Sequence, residues 1–316
     1  ISRMNAYHGI TAVSASLTGL PANQRGFDVP LPGFLHVSCP HFYRFGKPGE
    51  TEEQFADHLA QELEDLILKE GPETIAAFYG EPLMGAGGVI VPPKTYWEKI
   101  QKVCRKHDIL IVADEVICGF GRTGNMFGSE TFGIKPDVMV VSKQLSSSYQ
   151  PIAAIMINDL VYQGIADQSH TIGTLGHGFT GSGHPVAAAV ALENVKIIQE
   201  DELVRHAAHM GEILRGGLQR FADHPLVGEI RGVGLIAAVE LVADKGTKAP
   251  FETVGRLGRY LSARAQDLGM ISRAMGDAVA FCPPLISKEE DIQAILKCFE
   301  ESLEATWQWF QAGQAK

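Results

Sequence analysis

The sequence lacks most of the marks of a disulfide scaffold, a membrane protein or a nucleic-acid binder. Its cysteines are few and scattered, at Cys39, Cys104, Cys118, Cys282 and Cys298. The count is odd and no pair has C-x-x-C spacing, which argues against a disulfide framework and against a thiolate zinc site. No H-E-x-x-H occurs and the histidines lack metal-ligand spacing, so no metal is expected. No run of about 18 apolar residues is present, so no membrane span is expected. Basic residues are outnumbered, 27 against 37 acidic, and the net charge of −10 counts against nucleic acid as a partner. There is no signal-peptide pattern, and reduced thiols give a cytoplasmic expectation. Internal repeats and low-complexity tracts are also missing. The chain opens at Ile1 rather than at a methionine and is within a motif-like stretch after a few residues. The expectation is that further sequence precedes it.

What is present is ordinary globular composition, 45% apolar and 20% charged over 316 residues, a length that suits about two domains. Residues 55–69 place Phe55, Leu59, Leu63, Leu66 and Ile67 at helical spacing, and Gly71-Pro72 should stop that helix. A second amphipathic helix is predicted from Lys94 to His107. Apolar runs at 74–79, 109–113, 138–141 and 152–157 read as strands covered on both faces. Strands alternating with helices imply an α/β fold with a mixed but mainly parallel sheet and helices on both faces. Beyond about residue 200 the pattern changes to a helix over 203–222, short strands within 226–241, a helix over 253–268 and a last helix over 288–310. The expected organisation is a large domain over 1–200 and a smaller α+β domain over 201–316.

In open α/β sheets the ligand lies beyond the carboxyl ends of the strands. The residues at those ends are Glu81, then Asp114-Glu115, then Ser142-Lys143. A lysine at such a rim is partly desolvated, which lowers its pKa and favours the neutral amine that attacks an aldehyde. A buried aspartate beside a pyridine nitrogen keeps that nitrogen protonated, so that the ring accepts electrons from a substrate carbanion. A lysine and an aspartate from adjacent strands are what pyridoxal 5′-phosphate requires. Taken singly, each residue also has a plain structural reading: a solvated loop cation for Lys143, a helix cap or loop charge for Asp114.

The segments YHG (7–9), ADEVICGFGRTG (113–124), SKQLSSSYQP (142–151) and GHGFTGSGHPVAAAVALE (176–193) resemble the class III aminotransferases. These are the omega-amino-acid and amine transaminases of the fold-type I pyridoxal-phosphate group. The likeness runs from Ile1 to about Ile286 in the family's order. It implies that Lys143 carries the cofactor as a Schiff base and shuttles the proton, and that Asp114 pairs with the pyridine nitrogen. It further implies that Val116 packs on one face of the ring and Tyr7 covers the other. Glu81, in EPLMGAGG, would lie near the ring, and Thr180 would reach the phosphate bound by a partner subunit. Arg273 would be a mobile arginine that binds a substrate carboxylate. His8 is counted with the cofactor-binding set as part of the YHG motif, in a structural role, while His177 and His184 are read as structural. His206 and His209 are expected to face water. The reaction implied is amino transfer from an amine or omega-amino acid to a keto acid such as pyruvate, in a homodimer or a dimer of dimers.

The sequence also departs from the family. Gln144 stands where glycine usually follows the lysine, and Ser146-Ser147-Ser148 replaces a Thr-Ser-Gly-like run. The upstream Gly-Ser segment that grips the phosphate at a helix N-terminus has no match. Three other readings remain. The lysine and aspartate would look the same in an aminomutase or decarboxylase of this fold. A catalytically dead homologue would serve as an interaction partner, though retention of both residues speaks against it. GFGRTG (119–124) satisfies the G-x-G-x-x-G of a dinucleotide-binding oxidoreductase, yet Gly128, Gly133 and Pro136 leave little room for the helix that such a loop must open. Gly119 and Gly121 are read instead as allowing a tight path beside the cofactor, and Phe120 as a packing residue.

Overall fold

The computed structural model describes residues 1–313; the last three residues of the expected 201–316 domain lie outside them. Short strands β1 (Ser2–Arg3) and β2 (His36–Val37) pair in parallel, with helices α1 (Ala12–Leu17) and α2 (Pro21–Gln24) between them. After α3 (Phe42–Phe45) comes α4 (Glu52–Glu70). Thr51 and Gln54 close a reciprocal capping box at its start, and Gly71 ends it at φ 93°, a conformation that suits glycine. The chain then makes β3 (Ala77–Gly80), α5 (Tyr96–Lys106), β4 (Leu110–Asp114), α6 (Gly128–Phe132), β5 (Val138–Val141) and β6 (Ala154–Ile157). The order in the sheet is β3-β4-β5-β6. The first three strands are parallel and β6 is antiparallel to β5, which is the mixed, mainly parallel α/β sheet expected. Phe78 and Ile111 of that sheet pack with Phe55, Leu63 and Ile67 of α4 and with Trp97 and Ile100 of α5 in one core.

The run at 74–79 becomes a strand only from Ala77, because Pro72–Thr74 turn as a 3-10 helix. Two helices not read from the sequence follow, α7 (Asp159–Ile172) and α8 (Pro185–Glu200). Asn158 caps α7 by accepting the Val161 N–H, and Pro185 opens α8 at its first position. Both are start signals, obscured in α8 by an alanine-rich run and in α7 by apolar residues on its exposed face. No described helix is long and apolar enough to cross a membrane.

The chain then builds α9 (Leu203–Leu218), β7 (Val227–Val233), β8 (Ile236–Leu241), α10 (Arg256–Asp267), β9 (Arg273–Met275), β10 (Ala278–Phe281) and α11 (Glu289–Gln311). The second sheet is antiparallel, in the order β7-β8-β10-β9. Leu214, Val239, Leu261, Phe281, Leu296 and Phe299 share its core. His206 does not face water alone: its Nε2 meets the Ser287 carbonyl at 2.8 Å, tying α9 to the segment before α11.

GFGRTG is where the two sheets' units meet. Arg122 is buried and donates to the carbonyls of Leu235 and Pro283 at 2.8 and 2.6 Å, and its own carbonyl accepts the Leu235 N–H. A Cβ at Gly121 would face Val204 and Leu285, and one at Gly124 would face Ala208. Gly121 and Gly124 thus face the second unit, while a Cβ at Gly119 would meet the Glu115 carbonyl at 2.9 Å and Phe127 at 3.5 Å. Phe120 is buried against Phe127, as a packing residue should be. A second tie is ionic. Arg231 bonds Glu229 and Glu240 at 2.7 Å each, Arg44 bonds Glu240 at 2.6 Å, and His41 meets Glu229 at 2.9 Å. His41, Glu229 and Glu240 have metal-like spacing, but two guanidiniums already occupy the acids and would repel a cation.

Packing at this joint yields a test. A Cβ at Gly211 of α9 would lie 2.0 Å from the Gly234 carbonyl oxygen, a backbone atom with no room to yield. Alanine normally stabilises a helix interior by about 1 kcal/mol over glycine. Here Gly211→Ala should instead destabilise by about 1–3 kcal/mol, read as a lower urea midpoint. A midpoint at or above that of the parent would contradict the packing argument.

Candidate active site

The parallel register determines which side chains share the rim. Gly80 lies opposite Ala113 and Asp114 opposite Val140. Glu81, Asp114 and Lys143 therefore leave three neighbouring strands at one edge. Lys143 opens a 3-10 turn after β5 with φ 41°, a left-handed conformation rare for lysine. Its side chain borders an open cavity of about 380 Å³ together with Val116, Ile117, Arg122, Arg273 and Cys282. Nζ has no hydrogen bond or ion pair among the described residues. Desolvation pushes its pKa below the ordinary 10.5; Asp114 and Glu81 oppose that shift and Arg273 adds to it. Lys143 as a whole remains exposed to solvent.

Asp114 is buried at the end of β4. Its Oδ2 pairs with His8 Nδ1 at 2.7 Å and its Oδ1 accepts the Val116 N–H at 3.1 Å. The His8 side chain is fully covered, lies edge-on to Tyr79 and leaves a buried Nε2 without a partner. Glu81 is buried too, and its carboxylate accepts the N–H groups of Tyr7 and Gly85 at 3.2 and 2.8 Å. Burial raises its pKa, with His8 acting in the opposite sense. The Tyr-His-Gly loop is thus fixed to the ends of two strands, through Glu81 on β3 and Asp114 on β4. Glu115, next to Asp114 in sequence, turns away: it accepts the N–H groups of Gly128 and Ser129 at the start of α6.

Lys143, Val116 and Arg273 share the cavity wall, and two bonded pairs, Asp114 with His8 and Glu81 with Tyr7, sit at the strand ends. Thr180 stands apart, in a fully exposed stretch covering 171–186 that does not line the cavity. Sequence reading missed Arg231 of β7. Its guanidinium donates to the carbonyls of Gly88 and Val89 and so holds the glycine-rich 85–89 loop, whose Gly85, Ala86 and Val89 line the cavity. An arginine two residues after a glutamate within one strand, Glu229 and Arg231 of β7, was the available signal.

The donor set fits a pyridine-ring aldehyde with an anionic tail less one element. An uncommitted amine, a buried carboxylate oriented by a histidine and an apolar wall are present, while a phosphate cradle is not evident among the described residues. The likeness to known proteins agrees with this set. The family model described as aminotransferase class-III matches residues 1–303, and the chain belongs to that family. It is 50% identical over 306 residues to the mitochondrial gamma aminobutyrate transaminase 1 of Solanum lycopersicum, and equally so to that of Oryza sativa subsp. indica. Each alignment covers 97% of this chain and 59% of the relative, so the chain spans about three fifths of those proteins' length. Among solved structures, the omega transaminase from Pseudomonas jessenii in complex with PMP superposes with a TM-score of 0.97 at 74% identity, covering 98% of this chain and 68% of that one. A transaminase solved with L-ala superposes at 0.96 with 60% identity, covering 98% and 73%.

The lowered Lys143 pKa has a direct readout. Competitive acylation of the cofactor-free protein across pH, followed by peptide mass spectrometry, should find Lys143 half-reactive below pH 10.5. A midpoint at or above that value would remove the desolvation argument.

Proposed function

We propose that this chain carries the amine- and proton-handling centre of a pyridoxal-phosphate-dependent transaminase. It would move an amino group from an amine or omega-amino acid to a keto acid such as pyruvate. The observation that carries the reading is Lys143. It is a partly desolvated amine with no partner among the described residues, one strand away from a buried Asp114 and on the same cavity wall as Arg273. The transaminase names of relatives at 50–74% identity support amino transfer over the aminomutase and decarboxylase readings. Against a dinucleotide site stands Arg122, which binds GFGRTG to the second unit.

Bound pyridoxal phosphate supplies a protonated ring that takes up the electron pair left when a substrate carbon loses its proton. The rest of the work falls to side chains. Lys143 Nζ would hold the cofactor's aldehyde carbon and, once displaced by a donor amine, would take the proton from the donor carbon and deliver it to the cofactor. Positioned acid-base catalysis of this kind contributes roughly 10²–10⁴-fold. Asp114 would face the ring nitrogen with Oδ1 while His8 holds Oδ2. Val116 would pack one ring face and Tyr7 the other, with Glu81 anchoring the Tyr7 loop. Arg273 is exposed on β9, free to swing toward a keto-acid carboxylate and away from an uncharged substituent. Thr180 would serve the phosphate bound by a second subunit, making the unit of function a dimer or a dimer of dimers. The exposed apolar side chains of β6 to α8, among them Ile155 at 63% and Phe179 at 81%, support burial of this face.

Three measurements test the proposal. Lys143→Ala should abolish the visible absorbance that the cofactor acquires on the protein, and an unchanged spectrum would remove Lys143 from the role. Arg273→Ala should slow the keto-acid half-reaction about 10–100-fold, the worth of a charge-assisted hydrogen bond, and spare the amine half-reaction. Equal losses in both would defeat the carboxylate role. Light scattering should give a mass of two or four chains, and an active monomer would rule out Thr180 as a partner's ligand.

A further inference from the structure

The segment that starts at Lys143 is held in an unfavourable shape. Lys143, Ser147 and Ser148 have φ of 41°, 48° and 64°, three left-handed residues within six and none of them glycine. Such backbone persists only where its surroundings over-determine it. Before Lys143 the β5 ladder supplies that constraint. After it, the constraint comes from Asn194, half-buried in the middle of α8. Asn194 Nδ2 donates to the Gln144 and Leu145 carbonyls at 2.7 and 3.2 Å. Its Oδ1 accepts the Ser147 hydroxyl at 2.7 Å. Gln144 Nε2 donates to that same hydroxyl oxygen at 2.8 Å and closes a ring of hydrogen bonds. Asparagine is a poorer helix former than the Leu192, Glu193 and Lys196 near it, so its place in α8 answers to something outside the helix.

We propose that Asn194 is a positioning residue for Lys143: through the Gln144–Ser147 backbone it fixes the direction in which Nζ enters the cavity. Relaxation of Lys143 to an ordinary φ would rotate its Cα–Cβ bond and carry the amine at the end of the long side chain away from Asp114 and Arg273. The proposal rests on the reading of Lys143 as the cofactor's point of attachment.

The test uses the holoprotein, stripped of pyridoxal phosphate and given it back. In Asn194→Ala, recapture followed by visible absorbance should slow about tenfold, the equivalent of one or two hydrogen bonds. The pH midpoint of the absorbance band should move by about half a unit or more. Adding Ser148→Gly, which removes the penalty of the left-handed serine, should restore about fivefold of the lost rate, while Ser148→Gly alone should change little. A variant that loses thermal stability but keeps the parental capture rate and midpoint overturns the proposal, since a purely structural asparagine would behave so. Failure of Ser148→Gly to rescue also overturns it. If Asn194→Ala does not fold, Ser147→Ala removes two bonds of the ring, those to Asn194 and Gln144, and carries the same comparison: slower capture supports the proposal and parental values overturn it. A parent protein that gains no visible band overturns the reading of Lys143 and this proposal with it, an outcome distinct from a normal parent with an unaffected variant.

Discussion

The parallel pairing of β3, β4 and β5 is the constraint on which the site depends. In such a sheet all strands end at the same edge, so residues far apart in sequence leave neighbouring strands together. Glu81, Asp114 and Lys143 are spread over positions 81 to 143 of the chain, yet the Gly80–Ala113 and Asp114–Val140 pairings bring them to one rim. A one-residue slip of β4 would turn Asp114 to the opposite face. The buried cores on Phe78 and Ile111 prevent that slip, and the chemistry of the rim is in this sense a by-product of the packing beneath it.

Around that rim, acids are committed and the lysine is not. Glu81 is satisfied by backbone N–H groups, Glu115 by the start of α6, and Asp114 by His8 on one oxygen. Satisfied carboxylates tolerate burial. Among the described rim residues Lys143 is left without a partner, at a position whose backbone is strained. Strain concentrated at one residue and stability supplied by its neighbours is the usual division of labour at functional sites.

Much of this was legible in the sequence. Continuous apolar runs ended at Gly80, Asp114 and Val141, so the rim residues followed from counting strand ends. Capping signals marked α4, with Thr51 before it and Gly71 after it. Less was legible where hydrogen bonds join distant segments. His8 was assigned a structural place, but nothing in YHG shows that its ring meets Asp114 106 residues later. Arg231, Arg122 and Asn194 act through carbonyl groups, and backbone acceptors leave no trace in side-chain pattern. GFGRTG matches a dinucleotide fingerprint by pattern alone: the close approach there is that of Gly234 to the Thr123–Gly124 backbone, which a local motif cannot encode. The helices α7 and α8 escaped because their outward faces are apolar, which blurs the periodicity on which a helix assignment relies.

The three-way meeting of Gly211, Gly234 and the Thr123–Gly124 backbone sets the mechanics of the cavity. A Cβ at Gly234 would lie 2.2 Å from the Thr123 carbonyl carbon, so main chain rests on main chain with no side-chain cushion between. With Arg122 bonding the Leu235 and Pro283 carbonyls beside it, the contact leaves no room for a side chain between the two units. The spacing between the part of the cavity wall that carries Lys143 and the part that carries Arg273 is therefore set by backbone contact rather than by side-chain filling.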